Sequence, residues 1–204
     1  MTLKIIGGLL RGRILKTPPH AKTRPTTALL REALFNICAE WIPKARFLDL
    51  FAGSGAIGFE AISRGAAFTT FVEHDRQAVQ CIRENASLLQ LEPNVQILNL
   101  DAHNAIIRLT SPYDLIYADP PYDCDPTEIF RLIIHHALLA PQGLLFLEKR
   151  YDATSSLPTN IHSSLTLVKS RRYGIAHLHQ FRYSVLIPIA ESAARKHPEI
   201  GPPS

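Results

Sequence analysis

The sequence predicts an α/β fold, in which a mainly parallel seven-stranded sheet carries helices on both faces. Strand-like segments alternate with amphipathic helical segments from residue 47 to residue 147. A glycine-rich turn joins the first of these strands to its helix, and two late strand-like segments follow each other with no clear helix between them. The alternation predicts parallel pairing because each helix carries the chain back across the sheet, whereas the last two strands are expected to form an antiparallel hairpin at one edge.

Apolar periodicity and turn residues place the individual elements. The five alternating strands are rich in β-branched and aromatic residues, and we place them at 47–51, 69–72, 95–98, 113–118 and 144–147. The helices between them show apolar residues at helical spacing, at 56–64, 76–89, 102–109 and 127–139. The strands of the late hairpin are predicted at 166–171 and 181–187.

A small extension is predicted ahead of this domain. Residues 4–15 favour two short strands around a Gly-Gly turn. A helix is then expected to begin with Thr26 or Thr27 as its N-cap and to end near Pro43. We therefore divide the chain into a basic N-terminal extension, a main domain and a polar, proline-rich tail expected to be flexible, at 1–45, 46–190 and 191–204.

Composition excludes several classes of protein. The chain has 204 residues, of which 46% are hydrophobic and 20% charged, so it can bury a substantial core and is not disordered overall. No apolar run approaches the roughly 18 residues that span a bilayer. Three distant cysteines without a Cys-x-x-Cys pair predict neither a disulfide framework nor a metal site. We expect a cytoplasmic monomer with no membrane partner.

Positive charge is concentrated at the start of the chain. Up to Arg46 there are nine lysines and arginines but only two glutamates, a net charge of +7, while the rest of the chain carries −3. A basic arm on a neutral-to-acidic body indicates a polyanionic partner such as nucleic acid, although a solvated basic surface is the simpler alternative. The candidate phosphate contacts are Arg11, Arg13, Lys22, Arg24 and Arg31.

The glycine-rich turn predicts a cofactor site of the Rossmann type. Gly53, Gly55 and Gly58 satisfy G-x-G-x-x-G between a strand and a helix, with Ser54 inside the loop. Glu73 lies 20 residues beyond Gly53, at the end of the next predicted strand, where an acid can bind ribose hydroxyls. The motif alone does not distinguish a dinucleotide from other nucleoside cofactors.

Two further acids bear on the identity of the cofactor. Asp49 ends the strand just before the loop, where a carboxylate would repel a pyrophosphate but attract an amine or a sulfonium. S-adenosylmethionine carries both cations as well as a ribose, so the acids favour it over NAD. Asp101 ends the third strand, where it could meet an adenine edge or simply cap the helix that follows.

A second motif, Asp119-Pro120-Pro121-Tyr122, ends the fourth strand. Ligands of open parallel sheets bind beyond the carboxyl ends of the strands, and two prolines there make the backbone rigid. Asp119 and the Pro120 carbonyl can accept the two N–H bonds of an exocyclic amine, and Tyr122 can stack on the base that carries it. A rigid loop with an aspartate cap is the structural alternative.

The two motifs together resemble the signature of S-adenosylmethionine-dependent methyltransferases that modify exocyclic amines. The sequence is most similar to the bacterial 16S rRNA guanine-N2 methyltransferases of the RsmD type, and the similarity runs from Lys4 to about Tyr183. The matching blocks are Ile5-Ile6-Gly7-Gly8, Arg11-Gly12-Arg13, Thr23-Arg24-Pro25-Thr26, Arg31-Glu32-Ala33-Leu34-Phe35-Asn36, 48–55, 60–66 and 119–122.

This resemblance implies a Rossmann-like class I methyltransferase fold with a small N-terminal extension. It implies S-adenosylmethionine as cofactor, held by the glycine loop with Glu73 and Asp101, and a guanine of 16S rRNA or of a small-subunit assembly intermediate as substrate. The target base is then expected at residues 119–122. After Thr27 the chain departs from the family with the apolar residues Ala28, Leu29 and Leu30.

Three alternatives stay open on the sequence alone. An adenine-N6 DNA methyltransferase would share both motifs, but this chain has no spare segment for reading a DNA sequence. A protein glutamine methyltransferase would more often carry Asn-Pro-Pro-Tyr and would not need a basic arm. A non-catalytic RNA-binding assembly factor would retain the fold without needing Asp119, Gly53 and Gly55.

Overall fold

The computed structural model describes residues 3–19, 27–121, 124–150 and 162–184. In these ranges the strands and helices are α1 (Ala28–Ile37), β1 (Arg46–Asp49), α2 (Ala56–Ser63), β2 (Phe68–Glu73), α3 (Arg76–Leu89), β3 (Val95–Asn99), α4 (Ala102–Arg108), β4 (Tyr113–Ala118), α5 (Pro126–His135), β5 (Leu139–Arg150), β6 (Leu165–Tyr173) and β7 (Ala176–Tyr183).

The seven strands form one sheet in the order β3-β2-β1-β4-β5-β7-β6. Strands β1 to β5 pair in parallel, whereas β7 pairs antiparallel with both β5 and β6. The mainly parallel sheet with a late antiparallel hairpin is therefore confirmed. Because the chain order reverses between β1 and β4, the carboxyl ends of these two strands open a crevice, which is the usual ligand position in such sheets.

Apolar side chains cover both faces of the sheet. Helices α1, α2 and α3 cover one face, where Leu34, Ala61 and Ile82 belong to buried apolar clusters that include strand residues. Helices α4 and α5 cover the other face through Ile106 and Phe130. The sheet is thus buried on both sides, as the apolar character of its central strands predicts.

Three boundaries in the main domain differ from the prediction by four residues or more. The fourth helix of the alternating region ends at His135 rather than at residue 139, and β5 begins at Leu139 rather than at residue 144. The short apolar run at residues 137–140 is compatible with either a helix or a strand. Pairing of Leu139 with Tyr113 decides for the strand. In the hairpin, β7 begins at Ala176, because Gly174 has a φ of 61° and closes a tight turn. Residues 185–187 and the tail at 191–204 lie outside the described residues.

The extension also differs in detail from the prediction. Near the start of the chain a single bridge joins Lys4 to Ile14, so the turn between them is longer than the Gly-Gly turn that was expected. Helix α1 begins after Thr27, whose hydroxyl accepts a hydrogen bond from Leu30 N. It ends at Ile37, earlier than predicted.

One buried acid anchors the N-terminal segment on α2. The carboxylate of Glu60 is fully buried and accepts hydrogen bonds from Ile6 N at 2.8 Å and from Gly7 N at 2.7 Å. Arg64 Nε lies 2.8 Å from the same carboxylate. Ser63 adds to this contact, since its hydroxyl accepts from Leu10 N. A buried charge is tolerated when it is paired and hydrogen-bonded in this way.

A buried amide anchors the same segment on α3. Asn85 Oδ1 accepts from Lys16 N at 2.8 Å, and Asn85 Nδ2 donates to Lys16 O at 3.0 Å. The amide also lies 3.4 Å from the carbonyl oxygen of Ser54 in the glycine loop. One side chain therefore contacts both the N-terminal segment and the predicted cofactor loop.

Gly8 and Gly12 give a matched test of how closely the segment packs on α2. Both have positive φ, 76° and 84°, so alanine at either position adopts the left-handed conformation at a cost of about 1–2 kcal/mol. A Cβ at Gly8 would lie 1.8 Å from the Ser63 carbonyl oxygen, whereas one at Gly12 meets nothing within 4 Å. We expect Gly8→Ala to lower the free energy of unfolding in urea clearly more than Gly12→Ala. Equal losses would show that the close approach contributes nothing.

Candidate active site

Four carboxylates lie near one another towards the carboxyl ends of β1, β2, β4 and β5: Asp49, Glu73, Asp119, which directly follows β4, and Glu148, two residues before the end of β5. Asp49 pairs in register with Phe71 of β2 and Tyr117 of β4, and residues in register point to the same face of the sheet. Glu73 and Asp119 come two residues after those partners, so alternation places them on the same face, beneath α1 to α3. The sheet therefore presents a row of acids at one end.

The glycine loop has the backbone geometry that its sequence predicts. Gly53 and Gly55 have φ values of 53° and 78°, and Gly55 is the N-cap of α2. Gly58 lies inside α2, where a Cβ would come within 2.2 Å of the Phe71 ring. This third glycine therefore allows the helix to pack closely against the sheet, while the first two form the turn.

Two amides of this loop region are already bonded to carboxylates. Gly53 N donates to Glu73 Oε2 at 2.8 Å, and Gly58 N donates to Asp49 Oδ2 at 3.1 Å. The other oxygen of Glu73 accepts from Asp75 N. In a dinucleotide site such amides face a pyrophosphate, and here negative groups of the protein occupy part of that position.

Asp49 is the most deeply buried of the four acids, with 1% of its surface exposed. Its Oδ1 has no hydrogen-bond partner among the described residues. Burial raises the pKa of Asp49 to about 7, the charge of Glu73 adds to the rise, and the bond from Gly58 N opposes it. An unsatisfied carboxylate oxygen beside a glycine loop suits a cationic ligand group.

Asp119 and Pro120 follow directly after β4. Burial, together with the neighbouring charges of Glu148 and Asp49, raises the pKa of Asp119 to about 8. Pro120 is buried, which leaves the loop little freedom at this point. Tyr122, the predicted stacking residue, lies outside the described residues.

Glu148 and its neighbour Tyr117 were not among the residues predicted from the sequence. The hydroxyl of Tyr117 donates a hydrogen bond to Glu148 Oε2. The signal was available, because Glu148 is an isolated acid after the apolar run at 144–147, and strand ends of this kind carry ligand-binding groups. Tyr117 gave no such signal, since a tyrosine inside an apolar strand is typical of a core residue.

Ser54 and Asp101 take structural positions around the crevice. Ser54 contacts Asn85 through its backbone carbonyl. Asp101 is the N-cap of α4, with Oδ1 accepting from Asn104 N at 2.9 Å and Oδ2 from Asn104 Nδ2 at 2.6 Å. These bonds lower the pKa of Asp101. The capping alternative is thus realised, at the end of the sheet where a cofactor is predicted.

The basic candidates separate into two groups. Arg11 and Arg13 are exposed on the N-terminal segment, with Arg13 Nη2 donating to Leu88 O at 3.1 Å. Arg31, by contrast, is 3% exposed, and its Nε and Nη1 have no hydrogen-bond partner among the described residues. Lys22 and Arg24 lie outside those residues.

Arg31 is therefore shielded from solvent, which argues against its candidate role as a phosphate contact. It occupies the buried face of α1 because it lies next to Leu30 and four residues before Phe35. Burial lowers the pKa of Arg31, while the charges of Glu60 and Tyr117 oppose this effect.

Among the described residues, no helix is long and apolar enough to cross a membrane. The same part of the chain contains no group of three or more histidine, cysteine, aspartate or glutamate side chains placed to bind a metal ion.

The raised pKa of Asp119 has a consequence for stability. The folded protein retains a proton on this carboxyl up to about pH 8, whereas an exposed aspartate loses it near 3.8, so stability decreases as the pH rises between these values. Asp119→Asn removes the charge. We expect the gain in Tm of this variant over the wild type to increase from pH 5 to pH 9. A gain that is constant across this range would contradict a buried, proton-binding Asp119.

Comparison with known proteins adds a family to this geometry. The family model described as "Conserved hypothetical protein 95" matches residues 3–182. The chain is 40% identical over 94 residues to the "Putative rRNA methyltransferase YlbH" of Bacillus subtilis, covering 46% of this chain and 51% of that protein. It is 49% identical over 88 residues to the "Ribosomal RNA small subunit methyltransferase D" of Escherichia coli K12, covering 43% and 44%. The matched segments thus span about half the length of these curated relatives.

The solved structures match over more of the chain. The "Putative methyltransferase yhhF" of Escherichia coli superposes with a TM-score of 0.81 at 32% identity, covering 90% of this chain and 99% of that one. A putative methylase of Haemophilus influenzae superposes with a TM-score of 0.75 at 29% identity, covering 90% and 99%. The predicted class I methyltransferase fold is confirmed, and the chain belongs to the Conserved hypothetical protein 95 family, the RsmD family of methyltransferases.

Proposed function

We propose that the protein transfers a methyl group from S-adenosylmethionine to the exocyclic N2 amine of a guanine in 16S rRNA. The observation that carries this proposal is the position of Asp119, a half-buried acceptor that ends β4 beside the acid-lined glycine loop. Relatives described as small-subunit rRNA methyltransferases support the substrate class.

The charges around the loop fit this cofactor better than a dinucleotide. Asp49 and Glu73 bond to loop amides that a pyrophosphate would need, and their negative charges would repel it. The same charges attract a sulfonium and an ammonium, and the unsatisfied Asp49 Oδ1 needs a positive or donor group. Glu73 is our candidate for the ribose hydroxyls, and Ser54 and Asp101 are further candidates for contacts with the cofactor. S-adenosylmethionine, when bound, supplies an electrophilic methyl group.

The role of Asp119 follows from the chemistry of the amine. The lone pair of guanine N2 is delocalised into the ring, so the nitrogen is a weak nucleophile. Asp119 and the Pro120 carbonyl accept the two N–H bonds, which favours a pyramidal nitrogen and stabilises the positive charge that grows on it. A cation bound beside Asp119 favours its ionised form, and the proton released after methyl transfer goes to this carboxylate or to water. Tyr122 is proposed to stack on the extruded base, where an aromatic ring contributes about 1–3 kcal/mol.

The N-terminal segment is proposed to hold the RNA. Arg11 and Arg13 are exposed on a segment that Glu60 and Asn85 fix to the main domain, and Lys22 and Arg24 continue the same basic stretch in the sequence. Arg31 is not included, since its guanidinium is buried. We propose 16S rRNA, alone or in a small-subunit assembly intermediate, as the partner of a cytoplasmic monomer.

Methyl transfer with Asp119 variants tests the chemistry. The bonds at Asp119 strengthen as N2 becomes cationic, so Asp119→Ala should slow single-turnover transfer of tritiated methyl from S-adenosylmethionine to rRNA by about a hundred- to a thousandfold. Affinity for RNA should change much less. Asp119→Asn keeps one acceptor oxygen without the charge and should be intermediate.

Asp114→Asn is the matched control, since Asp114 lies at the opposite end of β4 and accepts from Arg46 N at 2.8 Å. It should transfer methyl groups at the wild-type rate. DNA and protein extracts serve as competing acceptors. Near wild-type transfer by Asp119→Ala would contradict the mechanism, and transfer to DNA or protein in preference to rRNA would contradict the substrate.

The salt dependence of RNA binding tests whether the N-terminal segment contacts the phosphates of the RNA. Replacing both Arg11 and Arg13 with alanine should weaken binding and reduce the log–log slope with salt by about 0.7–0.9 for each lost phosphate contact. The matched control replaces Arg108 and Arg131, exposed arginines of α4 and α5 on the opposite face of the sheet. An equal change in both double variants would show that only total charge matters.

A further inference from the structure

Glu148 lies beside Asp119 at the ends of neighbouring strands, and the proposed chemistry does not use it. Ala118 of β4 pairs in register with Leu147 of β5, and each acid is the next residue along the chain, Asp119 just after β4 and Glu148 within β5. Parallel neighbours are about 4.8 Å apart, and Phe146 and Tyr117, two residues earlier, are also in register, so alternation gives both acids the same face. The charge of Glu148 also raises the pKa of Asp119, as expected for close carboxylates.

A hydrogen bond from Tyr117 helps to fix the position of the Glu148 side chain. The Tyr117 hydroxyl donates to its Oε2, and Tyr117 itself is almost completely buried in the cluster under α1. Two carboxylates side by side repel each other, which costs stability unless donors lie between them. Such a pair therefore suits a ligand edge that presents two neighbouring N–H donors.

The Watson–Crick edge of guanine has this pattern, with N1–H next to the N2 amine. Adenine presents its N6 amine beside N1, and cytosine its N4 amine beside N3, so in both bases an acceptor lies next to the amine. A flipped base is read by hydrogen bonds to this edge. A carboxylate opposite N1 thus binds guanine and repels adenine.

We propose that Glu148 accepts the N1–H of the target guanine while Asp119 accepts from N2, so that Glu148 determines specificity for guanine over adenine. This inference rests on the proposed function. Guanine-N2 and adenine-N6 methyltransferases share the glycine loop and the Asp-Pro-Pro-Tyr motif. The proposal assigns the discrimination between their two substrates to one residue, Glu148.

The test replaces the target nucleotide by 2-aminopurine riboside, which keeps the amine but has an acceptor at N1. The RNA, free or assembled, is the one that supports transfer in the assay above, with the analogue introduced by ligation. Wild-type protein should prefer guanosine by roughly a hundredfold in single-turnover rate, since the analogue leaves a carboxylate facing a lone pair.

In Glu148→Gln the amide can donate to N1 of the analogue while its oxygen still accepts from Tyr117. We expect the preference for guanosine to fall by at least tenfold. The analogue also lacks the 6-oxo group, but that loss affects both proteins equally. The ratio is measured on one protein sample, so any unfolded fraction cancels. Glu92→Gln, an exposed glutamate that precedes β3, is the control and should keep the wild-type ratio.

The outcomes separate the two proposals. An unchanged guanosine preference in Glu148→Gln would overturn the specificity role of Glu148 and leave the proposed function intact. Absence of transfer to guanosine-containing rRNA by the wild type would overturn the proposed function, and this inference with it.

Discussion

Carboxylates that share one poorly solvated end of a parallel sheet are the constraint on which the site depends. Asp49 is buried and Asp119 half-buried, each lies near another acid, and both therefore have a raised pKa. The fold offsets part of the cost with backbone amides, from Gly53 to Glu73 and from Gly58 to Asp49. The two acids therefore retain protons more readily than an exposed aspartate, and a bound cation or N–H donor favours their ionised form, which makes this end of the sheet a receptor for such groups.

Polar groups buried among the helices connect this receptor to the N-terminal segment. Glu60 and Asn85 supply hydrogen-bond partners for backbone groups of this segment, in which the described residues 3–19 contain a single β-bridge. Asn85 also reaches the glycine loop through Ser54. The exposed arginines of the segment are therefore held in a defined place relative to the crevice, rather than on a loose basic tail.

Local patterns predicted much of this molecule. The alternation of strands and helices predicted the sheet, and the glycine spacing predicted the loop, whose third glycine, Gly58, packs on Phe71 in the structure. The positions of residues that depend on tertiary contacts were not predicted from the sequence. Arg31 is buried because it shares a face of α1 with apolar residues. Its charge alone did not indicate this burial. Glu148 became a candidate only when the register of β4 and β5 placed it beside Asp119.

The bonds that hold the N-terminal segment also have a consequence for how the chain folds. They join residues 53 to 75 positions apart, from Gly7–Glu60 to Arg13–Leu88. Closing loops of this length costs chain entropy before any bond is gained, and the acceptors exist only once α2 and α3 have formed. The first residues of the chain are thus among the last to find their place, so a protein that emerges N-terminus first carries its basic segment undocked until Asn85 and Leu88 are in position.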